Sequence, residues 1–263
     1  MEYYNGMTPG QNALKECGGS GCFLGAAVAY TVSLAAYAWQ ITVGRMGAAS
    51  LWHDVAGELA GTVVSVLSFF LLLLIGVGLW QFYAGCRREG APAGGGLSLI
   101  RGTLIVLLTL GCAAGVLIAA LLIMAGARWG MNGYLSYAFW MYGYRLDAET
   151  ARILLPVFAG VVIVVLVVLL VYMAGMIRNV GAAIHICRTG WPHKKLSVFA
   201  AVVNFAVAVF MLFECFSASV QLIGGLGSFW SLDLFIQSLA TMIFSLLTGI
   251  LILRLRGRLI EGR

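Results

Sequence analysis

Residues 154–176 read LLPVFAGVVIVVLVVLLVYMAGM, with no charged side chain and no polar one before Tyr172. A helix needs about 20 mostly apolar residues to cross a hydrocarbon core about 30 Å thick. This stretch meets that length, and its valines and leucines run without the alternation of a membrane β-strand. Five further stretches of comparable length and character lie at 22–44, 60–83, 99–126, 197–220 and 234–253. The expected fold class is therefore all-α: a polytopic integral membrane protein of six transmembrane helices. Its expected parts are an N-terminal segment, 1–21, a six-helix domain, 22–253, and a basic tail, 254–263.

Composition agrees. The chain has 263 residues, 62% hydrophobic and 10% charged. A soluble domain is about 45–50% apolar and about 25% charged. So few charges cannot cover the outside of a soluble protein of this size. Formal net charge is +6, but the basic residues are scattered between apolar segments, so no nucleic-acid partner is expected. Six cysteines (17, 22, 86, 112, 187 and 215) do not resemble the disulfide framework of a small secreted chain. They are expected to be reduced and unpaired.

With six spans, the N-terminus, the 2–3 loop, the 4–5 loop and the C-terminus share one side. These regions hold Lys15, Arg87, Arg88, Arg101, Arg178, Arg188, Lys194, Lys195, Arg254, Arg256, Arg258 and Arg263. Only Arg45, Arg128, Arg145 and Arg152 fall on the other. Asp54, Glu58, Asp147, Glu149, Glu214 and Asp233 lean toward that second side. The positive-inside rule then puts both termini in the cytoplasm. Short loops and reduced thiols make a bacterial plasma membrane the expected location. The four arginines from Arg254 to Arg263 are expected to hold anionic lipid headgroups.

Two segments on the far side stand apart. Residues 50–60 (SLWHDVAGELA) place Leu51, Trp52, Val55 and Leu59 on one helical face, with a bend expected at Gly57 or Gly61. Residues 128–153 carry Trp129, Tyr134, Tyr137, Phe139, Trp140, Tyr142 and Tyr144. Amphipathic rings favour the headgroup level, so an interfacial aromatic segment is expected here. There is also a weak internal repeat. Cys86-Arg87-Arg88-Glu89-Gly90-Ala91-Pro92 precedes Leu97-Ser98-Leu99, and Cys187-Arg188-Thr189-Gly190-Trp191-Pro192 precedes Leu196-Ser197-Val198.

Few residues are placed to carry chemistry. In the sixth span Gln237, Thr241, Ser245 and Thr248 recur at helical spacing and form one polar stripe. In lipid such a stripe faces the bundle interior. It is either one wall of a solute path or a seam of interhelical hydrogen bonds. Glu214 and Asn204 of the fifth span join the candidate path, since an ionisable residue inside a membrane is a functional hypothesis by default. Small residues at four-residue spacing, Gly25, Ala29 and Ser33 in the first span and Gly111, Gly115 and Ala119 in the third, point to close helix packing. His185, Cys187 and His193 match no zinc spacing, so no metal and no cofactor is expected. There is no Gly-x-Ser-x-Gly elbow, His-Glu-x-x-His pair or phosphate-binding Gly-Lys loop.

Catalysis is therefore not expected. In size and helix count the chain is similar to permease subunits, such as the membrane subunits of ABC-type exporters and the substrate-binding subunits of energy-coupling-factor importers. It has no evident coupling helix of the exporter kind. The leading expectation is a transport-related subunit for a small or amphiphilic solute, working with a membrane partner or an ATPase subunit. The other is a non-catalytic membrane scaffold or assembly factor. The two differ in whether the stripe at Gln237, Thr241 and Ser245 lines a hydrated cavity or is buried dry.

Overall fold

The structure, a computed structural model, describes residues 6–48, 55–141, 148–191, 195–223 and 229–261. Among these every regular element is α-helical: α1 (Pro9–Gly18), α2 (Gly21–Ala48), α3 (Val55–Arg87), α4 (Gly95–Met141), α5 (Ala148–Thr189), α6 (Val198–Ile223) and α7 (Phe229–Glu261). Six helices, α2 to α7, are long and apolar enough to cross a membrane. The chain is a multi-pass membrane protein by that measure. It divides into two compact units. One comprises 1–104 and 175–263; the other, 105–174, holds the remaining parts of α4 and α5.

Three expected boundaries move. The sequence reading ended the third span near 126 and laid 128–153 along the interface. Instead α4 stays helical to Met141, 47 residues in all, or about 70 Å at 1.5 Å per residue. The segment contains no proline to stop it. The side chains of 121–141, Ala119 and the aromatic tip at 142–147 lie outside the described residues, as do residues 49–54. Likewise α3 is one helix through Gly57 and Gly61. The fourth span was expected to end at 176, but α5 continues to Thr189. Its polar residues there do not break it, because they find partners. Asn179 accepts a hydrogen bond from the Ser197 N–H at 2.6 Å and donates to the Ser197 carbonyl at 3.3 Å. It thus caps the start of α6 from another helix.

In the first unit α7 is the central helix. It packs antiparallel to both α2 and α6, and α2 packs in turn on α3. The Tyr30 hydroxyl of α2 donates to the Leu72 carbonyl of α3 at 2.8 Å, and the Trp80 indole donates to Thr31 Oγ1 at 3.0 Å. One end of this unit, hereafter the basic end, gathers α1, the 88–94 turn and the start of the 190–197 turn. Helix α3 ends three residues before a glycine in the left-handed region, Gly90 at φ +92°, and α5 ends directly before another, Gly190 at φ +81°, where an L side chain is strained. The helices flanking each turn also meet: Gly78 lies against Gly96, and Asn179 against Ser197. The two pairs have the same sequence separation. The two copies of the sequence repeat thus share a left-handed glycine in the turn, although the contacts fall at Gly96 in one and Ser197, the counterpart of Ser98, in the other.

The second unit is a helical hairpin. Leu170 lies over Gly111, and Leu166 over Gly115, where an added Cβ would sit 2.9 Å from Leu166 Cδ2. The small residues of α4 are therefore filled by its own chain. The outer surface of α5 carries Val161, Val164, Val167 and Val171, each at least half exposed, as befits a face toward lipid.

A Cβ on Gly78 would fall 2.6 Å from Ile100 Cγ1 and 2.8 Å from the Gly96 carbonyl oxygen, whereas Gly257 faces open space. Gly78→Ala is expected to lower stability by about 1–3 kcal/mol through overpacking. Gly257→Ala is expected to raise it by about 0.5–1 kcal/mol through helix propensity. Melting curves of both variants in one detergent check the pair, and equal midpoints would contradict the close approach of α3 and α4.

Candidate functional site

The polar stripe of α7 was the sequence's strongest candidate, and its residues lie along two helix seams. Toward α2, Gln40 Nε2 donates to Gln237 Oε1 at 2.6 Å. One turn further along, the hydroxyls of Ser33 and Thr241 lie 3.0 Å apart. Next come the Tyr30 and Phe244 rings, 5.0 Å between centroids, and then Leu247 against Gly25. These pairs step in opposite directions along the two helices, as an antiparallel seam requires. Gly25, Ala29 and Ser33 were expected to let a helix come close, and α7 is the helix that does.

Toward α6, Ser238 is 2% exposed and donates to Glu214 Oε2 at 3.2 Å. Phe205 lies flat against Gly249, whose added Cβ would be 3.0 Å from two ring carbons. Asn204, also 2% exposed, donates to the Ala200 carbonyl of its own helix at 2.7 Å. Ser245 is buried, and Thr248 is half-buried. The six candidate path residues thus do not converge on one point. Gln237 and Thr241 face α2, while Glu214 is tied to α7 through Ser238, a residue that the stripe omitted. Ser238 follows Gln237 directly and sits about 100° round the helix, so a single-stripe reading missed it.

The basic end holds the residues that sequence reasoning missed. Thr8 and Gln11 form a capping box, with the Gln11 N–H donating to Thr8 Oγ1 at 3.4 Å and the Thr8 N–H donating to Gln11 Oε1 at 3.1 Å. Pro9 occupies the first helical position. This Thr-Pro-x-Gln pattern is a legible helix start within the segment 1–21, which the sequence reading set apart without assigning it a helix. The residues read as a basic tail extend α7 instead, which is helical to Glu261. Arg256 donates to the Leu196 carbonyl at 2.8 Å, and Arg258 forms an ion pair with Glu16 of α1. Two of the four arginines expected to face headgroups thus have protein partners.

All six cysteines are free thiols. Among the described residues no group of three or more His, Cys, Asp or Glu could hold a metal; His193 lies outside those residues. Comparison of the chain with protein-family models, curated proteins and solved structures finds no match.

Two measurements follow from this geometry. A double-mutant cycle on Ser33→Ala and Thr241→Ala, read from reversible unfolding in detergent, is expected to give a coupling energy of about 0.6 kcal/mol; strict additivity would remove the seam contact. For Cys17, burial in α1 pushes the thiol up, with Arg254 pulling partly the other way and Cys22 adding to the rise. A raised pKa leaves less thiolate near neutral pH. Its alkylation is therefore expected to climb through a midpoint above that of a free cysteine, about 8.5. A pH–rate profile of carbamidomethylation at Cys17, read by peptide mass spectrometry, checks the direction.

Proposed function

We propose that this chain is a non-catalytic membrane scaffold or assembly subunit that acts through helix–helix packing, rather than a permease. The observation that carries this reading is the partnering of the first two residues of the polar stripe. Gln237 is hydrogen-bonded to Gln40 and Thr241 to Ser33, both inside the α2–α7 seam. Groups that bind a passing solute have to exchange partners with it, and a polar group left unpaired at membrane depth is costly. Pairing between neighbouring helices removes that cost and leaves a rigid bundle. Glu214 fits the same picture, since its carboxylate accepts from Ser238 on the adjacent helix.

Both termini face the cytoplasm on the strength of the basic bias of the alternate loops, and short loops with free thiols support a bacterial plasma membrane as the bilayer. At that surface Arg254 attracts anionic headgroups. The partner class is another integral membrane protein.

The test uses a variant whose six native cysteines are replaced by alanine or serine and which carries one new cysteine, Thr241→Cys or Ser245→Cys. A membrane-impermeant, charged thiol reagent applied from either side is expected to label these positions at background. Ready labelling at both would mean that water reaches the stripe, and the permease reading would replace this one. In mild detergent the native chain is expected to co-purify stoichiometrically with a second membrane protein.

A further inference from the structure

We propose that α1 is a releasable strap, which bridges the two equivalent turns at the basic end and locks the α3–α4 and α5–α6 hairpins to each other. Its start engages one turn. Thr8 Oγ1 donates to the Gly190 carbonyl at 3.0 Å, and Gln11 Nε2 donates to the Cys187 carbonyl at 3.2 Å. Gly10 lies against Gly190 and Ile186, with no room for a Cβ. Its end engages the other turn. Lys15 Nζ donates to the Gly90 carbonyl at 2.9 Å, and Gly18 lies against Cys86 and Phe82, where an added Cβ would be 2.5 Å from the sulfur.

The correspondence between the ends is the argument. Gly90 and Gly190 are the two left-handed glycines of the repeated turns, and each gives its carbonyl to a side chain of α1. Cys86 stands four residues before Gly90 and Cys187 three before Gly190, and each lies under α1 or bonds to it. A single straight helix of ten residues, about 15 Å long, thus reads both copies of one motif. It reinforces the direct contact between the two hairpins, where Gly94 lies against Cys187.

Release follows from what holds the strap. A helix of ten residues is too short to stand alone in water, where about 12–15 are needed. The polar contacts of α1 lie at an aqueous end of the bundle, and in its ion pair with Arg258 the Glu16 side chain is the more exposed partner. Gly10, Ala13, Leu14, Cys17 and Gly18 are buried. The helix nonetheless packs less extensively than α2, α6 or α7, and elements with the fewest contacts open first. Ser20 accepts from the Phe23 N–H and donates to the Cys17 carbonyl, so a released α1 remains tethered at the head of α2.

The test uses the full chain in detergent, with site-resolved alkylation by N-ethylmaleimide. Gly10→Leu collides with Gly190 at one end only. If α1 is one strap, that substitution exposes the far end as well: Cys86, 2% exposed in the native fold, is expected to react about tenfold or more faster, in step with Cys187. Cys112, outside this unit, serves as the internal reference. A rise at Cys187 with Cys86 unchanged would mean two separate local contacts and would overturn the strap. Loss of folding in Gly10→Leu would overturn its releasable character. Hydrogen exchange on the unaltered protein gives a second reading. The amides of 12–18 are expected to exchange together, about 100-fold faster than those of 237–249; exchange as slow as that of α7 would place α1 in the permanent core.

Discussion

A polar group inside a bilayer has no water to fall back on, and the arrangement around α7 follows from that constraint. This helix carries Gln237, Ser238, Thr241, Ser245 and Thr248 through its length. Such a helix cannot face lipid on all sides. It is accommodated by having neighbours on two flanks, each offering partners at the right depth. On α2 these are Gln40 and Ser33, and on α6 it is Glu214. Gly25 and Gly249 then let large neighbours, Leu247 and Phe205, fill the places between the hydrogen bonds. Polar pairing sets which helices meet, and small residues set how closely.

The same logic separates what could be read in the sequence from what could not. Six apolar stretches gave the number of membrane-spanning helices, because length and hydropathy act on each segment alone. The polar face of α7 was legible for the same reason. Its partners were not, since Gln40 and Ser33 are ordinary residues until a neighbour is brought beside them. Ser238 shows the limit at its sharpest: it lies next to Gln237 in sequence and points to a different helix. The length of α5 was misread because Arg178, Asn179 and His185 look like the end of a span. A sequence window does not register that Asn179 can satisfy both backbone groups of Ser197. For α1 the signal was present in Thr8, Pro9 and Gln11 and was masked by the glycines around it.

The two units differ in how their helices hold together. In the first, side-chain hydrogen bonds and aromatic contacts tie α7 to α2 and α2 to α3. In the second, the 105–174 hairpin, Leu166 and Leu170 rest on Gly115 and Gly111, and the exposed valines of α5 meet lipid tails. Contacts of that kind are nondirectional and made only by shape. Small-residue rows of similar appearance in the sequence therefore serve seams of different chemistry: one mixed polar, the other filled by leucine at Gly111 and Gly115.

Thr8 carries a further consequence. Its single oxygen accepts from the Gln11 amide and donates to the Gly190 carbonyl, while its methyl occupies the space a Gly190 side chain would need. Valine has the shape without the proton. Serine has the proton without the methyl, and asparagine caps a helix but fills another volume. Gly190 is bound from its own side, by a positive φ and by Thr8 itself. Neither position can drift without the other noticing, so the first helix and a turn far along the chain share one mutational alphabet.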